Sequence, residues 1–325
     1  MSFEPGDIEI VSLTDTGRQR SANQDSVGEG VAPDGARLAI VADGMGGHAG
    51  GETASRLAVE AVQGVVASSE GAPDGTLREA LETANRAVHD ESQRNTQLLG
   101  MGTTGVAALF SRDAAYVANV GDSRAYRLRD GVIEQLTDDH SLVAELQRRG
   151  IISEEEALVH PRRNEVLRSL GVEPEVTVDL FAFELRAGDV FLLCSDGLSG
   201  VVRDEEIADV LRREAPAEAV RSLVDFANER GGPDNVTVQI ARIPGESGGA
   251  GANERERRIR ALSLAVVAVA LLLSLALVWA LWQQLGGASD VEPPAVASDL
   301  EPAPDVSEEH EVDDLLPPEP PSGDE

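Results

Sequence analysis

Four aspartates of this 325-residue chain fall beside predicted β-strands, and each has a glycine close by. They are Asp43, Asp122, Asp196 and Asp234. Asp43 follows the apolar residues 38–42, and Asp196 comes two positions after the apolar residues 190–194. In both cases the carboxylate is expected to lie where the strand leaves the core. Carboxylates gathered at one mouth of a sheet repel one another unless they bind protons or cations.

A cluster of this kind offers only oxygen ligands. Such ligands favour hard cations, Mg²⁺ or Mn²⁺, with waters completing the coordination shell. The alternative is that Asp and Gly simply mark turns, where both residues are common for conformational reasons. One Asp-Gly pair would favour the turn. Four aspartates, each beside a strand end, favour a metal site.

The order of predicted strands and helices sets how these aspartates come together. Alternating apolar patterns predict strands at residues 8–13, 38–42, 105–110, 114–120, 125–129, 132–136, 176–183, 190–194 and 236–241. Residues 54–65 carry a helical stripe, and Thr76 with Glu79 fits a capping box that opens a second helix. Asp130-Gly131 predicts a tight hairpin. Residues 140–161 read as a polar helical stretch, and two more helices precede the last strand.

Sets of strands with helix pairs beside them predict an α+β fold. We expect a four-layer α-β-β-α sandwich, in which two antiparallel sheets pack face to face and a helix pair flanks each sheet. The predicted globular region has 243 residues, which is within the length that a single domain can reach.

Seven short motifs in sequence order resemble those of the protein phosphatase 2C family, also called PPM. The motifs are Thr14-Asp15-Thr16-Gly17-Arg18-Gln19-Arg20 with Asn23-Gln24-Asp25, Ala42-Asp43-Gly44-Met45-Gly46-Gly47-His48, Gly102-Thr103-Thr104, Asn119-Val120-Gly121-Asp122-Ser123-Arg124, Asp139-His140-Ser141, Cys194-Ser195-Asp196-Gly197-Leu198 and Gly232-Pro233-Asp234-Asn235-Val236-Thr237. The resemblance covers residues 7–243. It implies a protein phosphatase that hydrolyses phosphoserine and phosphothreonine with a metal-activated water at a binuclear Mn²⁺ or Mg²⁺ site.

The same resemblance implies a set of metal ligands. Asp43 would bridge two tightly bound ions, and the carbonyl of Gly44 would bind one of them. Asp196 and Asp234 would complete the protein ligands of the first ion. Asp122, together with Asp196, would hold a weaker third ion.

Other residues take roles around these ions by the same resemblance. Asp25 would act mainly through water in the outer shell of the metal site. Arg20 would grip the substrate phosphate, because its planar guanidinium matches two phosphate oxygens at once. Other branches of the family carry a histidine, a proposed general acid, where this chain has Met45. A water on a metal or His48 would then protonate the leaving group, although His48 is better read as structural.

Two other phosphate chemistries are excluded by their missing residues. A cysteine phosphatase needs a phosphate-binding loop that ends in Arg, and the residues after Cys194 contain none, so Cys194 is read as a buried strand residue. The Gly-rich residues 44–51 lack the Lys-Ser or Lys-Thr of a P-loop. His140 and His160 are read as surface residues of a flap between two strands, and the nearby Arg162-Arg163-Asn164 departs slightly from the family pattern.

The net charge of −31 excludes general binding of nucleic acids, which requires clustered basic surface. The single cysteine excludes an intramolecular disulfide. The first residues lack the basic and apolar regions of a signal peptide, so the N-terminal domain is expected in the cytoplasm.

The C-terminal quarter of the chain predicts a membrane anchor. Residues 244–260 form a Gly-rich linker followed by a basic cluster of four arginines. Residues 261–282 are almost wholly apolar and long enough to cross a bilayer of about 30 Å as a single helix. The arginines before this segment predict a cytoplasmic catalytic domain by the positive-inside rule. Residues 283–325, rich in Pro, Asp and Glu, are expected to form a disordered tail outside the cell membrane.

These patterns predict phosphorylated proteins as partners, in particular membrane Ser/Thr kinases and the substrates of those kinases. Two alternatives stay open. One is a catalytically silent sensor or scaffold that binds phosphoproteins without turnover. The other is a narrow-specificity phosphatase of an anti-sigma-factor antagonist.

Overall fold

A computed structural model of the chain describes residues 3–46 and 50–245. The strands are β1 (Glu9–Asp15), β2 (Asp25–Val31), β3 (Arg37–Met45), β4 (Gly102–Thr103), β5 (Gly105–Phe110), β6 (Ala114–Val120), β7 (Arg124–Arg129), β8 (Val132–Gln135), β9 (Asp179–Glu184), β10 (Val190–Cys194) and β11 (Val236–Arg242). The helices are α1 (Gly50–Ser68), α2 (Pro73–Arg94), α3 (Leu142–Arg148), α4 (Glu154–Leu158), α5 (Asp196–Ser199), α6 (Asp204–Arg213) and α7 (Pro216–Glu229).

The strands form two antiparallel sheets. The first has the order β1-β11-β10-β7-β8. The second has the order β2-β3-β5-β6-β9, and the short β4 pairs with the end of β3. Neighbouring strands within each sheet run antiparallel, as the sequence predicts.

Alternation along single strands shows how the layers stack. On β3, Leu38 and Ile40 pack into an apolar cluster with α1 and α2, whereas Ala39 and Val41 pack into a cluster shared with the other sheet. Successive side chains of a strand point to opposite faces, so β3 lies between a helix layer and a sheet layer. On β10, Leu192 joins α6 and α7 in a third cluster. The predicted arrangement of two antiparallel sheets with helices outside is confirmed.

The start of α2 corrects the predicted capping box. The helix begins at Pro73, preceded by Ala72, whose side chain makes no capping hydrogen bond. Thr76 therefore lies inside the first turn, and its hydroxyl is 2.7 Å from that of Ser69. A proline at the first helical position already has the required φ angle, and it starts the helix before Thr76 is reached.

Strand β2 is absent from the sequence prediction, because its residues 26–31 are mostly small or polar. Pairing with β3 creates it, and this pairing sets Asp25 opposite Asp43. The prediction that β3 ends before Asp43 is also wrong. The strand continues to Met45, because β4 pairs with its last two residues. The predicted hairpin at Asp130-Gly131 is confirmed, since both residues have positive φ angles of 52° and 80°.

None of the helices within residues 3–46 and 50–245 is long and apolar enough to span a membrane. The predicted spanning segment 261–282 and the tail 283–325 lie outside these described residues, as does nearly all of the predicted linker. The membrane anchor therefore stays a prediction.

Candidate active site

Five aspartates from both sheets meet at one end of the sandwich. They are Asp25 and Asp43 on the paired strands β2 and β3, Asp122 in the β6–β7 turn, Asp196 at the start of α5, and Asp234 just before β11. Their proximity is evident from the pKa of Asp43. Burial raises the pKa of Asp43 well above its usual value, and the charges of the other four carboxylates raise it further. The fold thus brings together all the acidic residues that the sequence singled out.

The same crowding raises the pKa of three further carboxyls. Burial raises the pKa of Asp25 to about 6, against the opposing effect of two hydroxyl hydrogen bonds. Burial, and then the charges of Asp196 and Asp139, raise the pKa of Asp122 to about 8. Burial is also the largest cause of the raised pKa of Asp196, followed by the charge of Asp234. These carboxylates ionise together only if positive charge reaches them.

The donor chemistry of the cluster fits a divalent cation. Among the described residues, Oδ1 of Asp25 and Oδ1 of Asp196 are sealed from solvent and have no hydrogen-bond partner. Buried polar atoms are normally paired, so two orphaned anionic oxygens at one site call for a ligand. Within residues 3–46 and 50–245, no three His, Cys, Asp or Glu side chains converge closely enough to enclose an ion by themselves. Asp234 pairs with Arg20, and Asp25 with two hydroxyls.

Two threonines fix the backbone of Asp43. Thr104 accepts a hydrogen bond from the Asp43 amide at 2.9 Å through its hydroxyl. The hydroxyl of Thr103 and the amide of Thr104 both donate to the Asp43 carbonyl at 2.8 Å. The Thr104 hydroxyl also lies 2.7 Å from that of Ser123, next to Asp122. The sequence marked these threonines as part of a motif but gave them no role.

Gly44 is held in a space that admits no side chain. A Cβ at this position would collide with the carbonyl of Gly51 at the start of α1 and with the carbonyl of Gln24. The Gly44 amide donates to that same Gln24 carbonyl at 3.1 Å. This close approach explains why glycine follows Asp43, and it fixes the peptide whose carbonyl is the predicted ligand.

Asp25 is oriented from the neighbouring sheet. The hydroxyls of Ser195 and Thr237 each donate to Oδ2 of Asp25 at 2.7 Å. Asn235 ties the same loops together, because its side chain accepts from the amide of Gln24 and donates to the carbonyls of Thr16 and Ala22. The sequence analysis named these three polar residues only as parts of motifs. The signal available for Ser195 and Asn235 was their place directly beside Asp196 and Asp234, whereas Thr237 lies three positions after Asp234.

Arg20 lies at the mouth of the cluster. Its Nη2 donates to Oδ2 of Asp234 at 2.7 Å, while the arginine side chain stays 48% exposed. The guanidinium is therefore next to the carboxylates and reachable from solvent. The structure brings Arg20 to the site, and its role in binding phosphate stays a prediction.

The structure gives different outcomes for the other residues that the sequence analysis discussed. His140 is only 5% exposed, so its assignment to the surface is wrong; the side chain is buried by contacts with Gly121 and Asp179. Cys194 is buried in β10 as predicted, and burial raises the pKa of its thiol to about 12, which leaves no thiolate for nucleophilic attack. Met45 pairs with Gly102 at the end of β3. His48 lies outside the described residues.

Clustered carboxylates suit hard cations, and an exposed guanidinium suits phosphate oxygens. On an α+β sandwich, this combination defines the class of metal-dependent phosphate-ester hydrolases. The family model of Protein phosphatase 2C matches residues 15–236, and the chain belongs to this family. The resemblance inferred from the seven motifs is therefore confirmed.

Relatives of known activity agree. The serine/threonine phosphatase stp of Listeria welshimeri is 41% identical over 233 residues, which cover 69% of this chain and 92% of the relative. The serine/threonine protein phosphatase PstP of Mycobacterium tuberculosis is 42% identical over 243 residues, or 73% of this chain and 45% of the relative. The chain is accordingly a protein-serine/threonine phosphatase.

Solved structures support the same conclusion. The crystal structure of the Mycobacterium tuberculosis phosphatase PstP/Ppp matches with a TM-score of 0.68 and 40% identity, covering 73% of this chain and 99% of that one. The catalytic domain of PstP in complex with two manganese ions matches with a TM-score of 0.67 and 39% identity, over 73% of this chain and 98% of that one. The manganese complex indicates a metal-dependent mechanism.

Proposed function

We propose that this chain hydrolyses phosphoserine and phosphothreonine at a binuclear Mn²⁺ or Mg²⁺ site. Asp43, the Gly44 carbonyl, Asp196 and Asp234 would hold two tightly bound ions. Asp122 and Asp196 would hold a weaker third ion. The observation that carries this proposal is the pair of buried, unpartnered oxygens on Asp25 and Asp196 within a cluster of raised pKa values.

The chemistry follows from charge. A phosphomonoester dianion repels an attacking anion, and its uncatalysed hydrolysis is among the slowest known reactions. Two ions held by the carboxylates would supply a water that ionises near neutral pH and would screen the phosphate charge. Arg20 would bind the phosphate and hold it in line for attack.

The residues around the cluster prepare it for this reaction. Thr103 and Thr104 fix the backbone of Asp43, the point from which its carboxylate projects. Ser195 and Thr237 orient Asp25 through Oδ2 and leave its Oδ1 without a hydrogen-bond partner. Such outer contacts hold ligands in place and typically change metal affinity by about 10–100-fold when removed.

The proposed substrates are phosphorylated proteins of a membrane kinase pathway, including the Ser/Thr kinase itself. The membrane segment at residues 261–282 motivates this choice, since it would concentrate the enzyme near a membrane partner. A silent sensor is disfavoured, because the proposed metal ligands and Arg20 are all present. A narrow phosphatase of an anti-sigma-factor antagonist shares the same site and differs only in substrate.

Metal-dependent turnover is the direct test. A protein of residues 1–243 should hydrolyse p-nitrophenyl phosphate and phosphothreonine peptides with Mn²⁺, and chelator should abolish this activity. Asp225→Asn, on the exposed face of α7, is the matched control and should leave turnover unchanged. Activity that survives complete metal removal would refute the binuclear site. Metal binding without any turnover would instead favour the silent sensor.

The proposed location is the cell membrane, with the catalytic domain inside and residues 283–325 outside. Protease added to wall-stripped cells should clip a tag placed after Glu325 and spare a tag at the N-terminus. An N-terminal tag accessible from outside would overturn both the orientation and a cytoplasmic substrate.

A further inference from the structure

The turn that carries Asp122 is clamped by one residue from 19 positions further along the chain. The Gly121 amide donates to Nδ1 of His140 at 3.0 Å. The His140 amide donates back to the Gly121 carbonyl, also at 3.0 Å. Both backbone groups of Gly121 are thus bound by His140, and Asp122 is the next residue.

The clamp fixes the tautomer of the imidazole ring. Since Nδ1 accepts a hydrogen bond, the ring proton sits on Nε2, which donates to Oδ2 of Asp179 at 3.0 Å. Arg168 donates to the other Asp179 oxygen at 2.7 Å and holds that carboxylate in place. The same Arg168 nitrogen lies 3.0 Å from Nε2, and in this tautomer the two are both donors, so that contact is not a hydrogen bond. Burial lowers the pKa of His140, so the ring stays neutral and Nδ1 stays an acceptor.

Gly121 needs this clamp because its backbone is unusual. Its φ angle is +112°, a conformation that side chains rarely adopt, and a Cβ there would strike Thr104. Glycine reaches this conformation freely but also leaves it freely. Asn119 adds a third contact, because its amide donates to the Gly121 carbonyl at 3.2 Å.

His140 also closes the base of the segment between β8 and β9. The amide of Leu167 donates to the His140 carbonyl at 2.7 Å, and that of Leu142 donates to the Glu165 carbonyl at 2.8 Å. Ser141 and Val166 form a β-bridge between these two contacts. We call residues 142–165 the flap. Its two ends meet at the residue that holds the Asp122 turn.

We propose that His140 is a positioning residue that keeps Asp122 at the carboxylate cluster and ties the base of the flap to the same turn. The ring acts through the Gly121 peptide, while Asp122 itself would bind the ion. This inference rests on the proposed role of Asp122 as a ligand of the weaker third ion.

Two substitutions of similar size test whether His140 acts through its hydrogen bond to Gly121 or only by filling space in the core. The side-chain oxygen of Asn reaches the place of Nδ1, so His140→Asn keeps an acceptor for the Gly121 amide. Gln reaches the place of Nε2, so His140→Gln keeps the contact with Asp179 and loses that acceptor. His89→Asn is the matched control, since Nδ1 of His89 lies 3.1 Å from the Gly171 carbonyl, away from the Asp122 turn.

The experiment measures Mn²⁺ binding to the full chain in detergent, together with hydrogen exchange at residues 121–122. His140→Gln should weaken the weakest Mn²⁺ site by about tenfold and speed exchange of the Gly121 amide. His140→Asn and His89→Asn should stay within about twofold of the unchanged protein in both measurements. If His140→Gln does not fold, Asp179→Ala serves as the second variant. It removes the acceptor of the Nε2 proton, while Arg168 stays beside that nitrogen, and should weaken the same site to a smaller degree.

Asp122→Asn separates the positioning role of His140 from the ligand role of Asp122. If this variant weakens the weak site and folded His140→Gln or Asp179→Ala does not, the role of His140 is refuted and that of Asp122 stands. If Asp122→Asn leaves every Mn²⁺ affinity unchanged, the proposed ligand role of Asp122 fails. If His140→Asn loses as much affinity as His140→Gln, the hydrogen bond to Gly121 is not what matters, and the inference is overturned.

Discussion

An aspartate lies beside each end of strand β10, and the electrostatic surroundings of the two are opposite. At one end, Asp189 is 1% exposed and accepts from Arg129 at 2.7 Å and 2.6 Å, and from the Arg186 amide at 2.8 Å. At the other end, Asp196 faces other carboxylates, and its Oδ1 has no hydrogen-bond partner among the described residues.

This contrast distinguishes a structural carboxylate from a functional one. The protein supplies Asp189 with its own cation, Arg129, so this carboxylate needs no ion from outside. Asp196 is left among like charges, an arrangement that lowers stability unless a proton or a cation from outside neutralises it. Removing the charge should therefore damage structure at one end and chemistry at the other.

The largest expected effect is on turnover at the Asp196 end. Asp196→Asn removes a ligand of the proposed ions and should lower kcat/KM by at least about 1,000-fold, equal to about 4 kcal/mol of transition-state stabilisation. Asp189→Asn, assayed where it is fully folded, should keep turnover within about threefold. Steady-state kinetics with a phosphothreonine peptide measure both. Equal losses at the two ends would break the comparison.

For stability we expect the opposite result, with a large loss in Asp189→Asn and none in Asp196→Asn. Asp189→Asn leaves Arg129 without its carboxylate and should lower the free energy of unfolding by about 3–5 kcal/mol, the usual cost of stranding one partner of a buried ion pair. Asp196→Asn should be no less stable than the unchanged protein in chelator, because it relieves repulsion. Urea unfolding in EDTA gives both values. A loss for Asp196→Asn as large as that for Asp189→Asn would contradict the account.

Arg20 offers a smaller effect at the same end. Arg20→Ala should lower kcat/KM by a factor that corresponds to about 2–4 kcal/mol of transition-state stabilisation, because a positioned charge near the reacting phosphate is lost. It should keep Mn²⁺ binding, since the guanidinium is not a ligand. Arg56→Ala, on the exposed face of α1, is the control and should leave turnover unchanged. Loss of metal binding in Arg20→Ala would show that its proposed role is wrong.

The smallest effect concerns the pH dependence that Asp122 gives to the metal-free protein. Its pKa of about 8 exceeds that of the unfolded chain, so the folded state binds more protons and the free energy of unfolding falls as pH rises from about 4 to about 8. Asp122→Asn should remove this fall. In EDTA it should be more stable than the unchanged protein by about 1–3 kcal/mol at pH 8 and equal to it near pH 4.

Urea unfolding at the two pH values checks the sign. Asp225→Asn removes an exposed charge and should show no such difference. If Asp122→Asn gains no stability at pH 8, Asp122 is not held at the cluster with a raised pKa.

Much of this arrangement is readable from sequence, for a physical reason. Strands β3 and β10 are continuous apolar runs, and the aspartates beside them mark where the chain leaves the core. The two sheets and the five gathered aspartates follow from that pattern and from the motif order. The family resemblance identified the activity.

Two of the errors share a cause, the dependence of a local structure on distant partners. Strand β2 forms by pairing with β3, and His140 is buried by partners up to 39 positions away, so neither has a local signature. The capping box predicted at Thr76 is wrong for a different, local reason, because the helix already begins at Pro73. The supporting hydroxyls of Thr104, Ser195 and Thr237 became visible only when both sheets were in place.

The most direct test of the central claim is a count of bound Mn²⁺ by calorimetry on metal-stripped protein of residues 1–243. The account predicts two tightly bound ions in the unchanged protein and in Asp189→Asn, and loss of tight binding in Asp43→Asn. Two tightly bound ions in Asp43→Asn, with unchanged affinity, would contradict it.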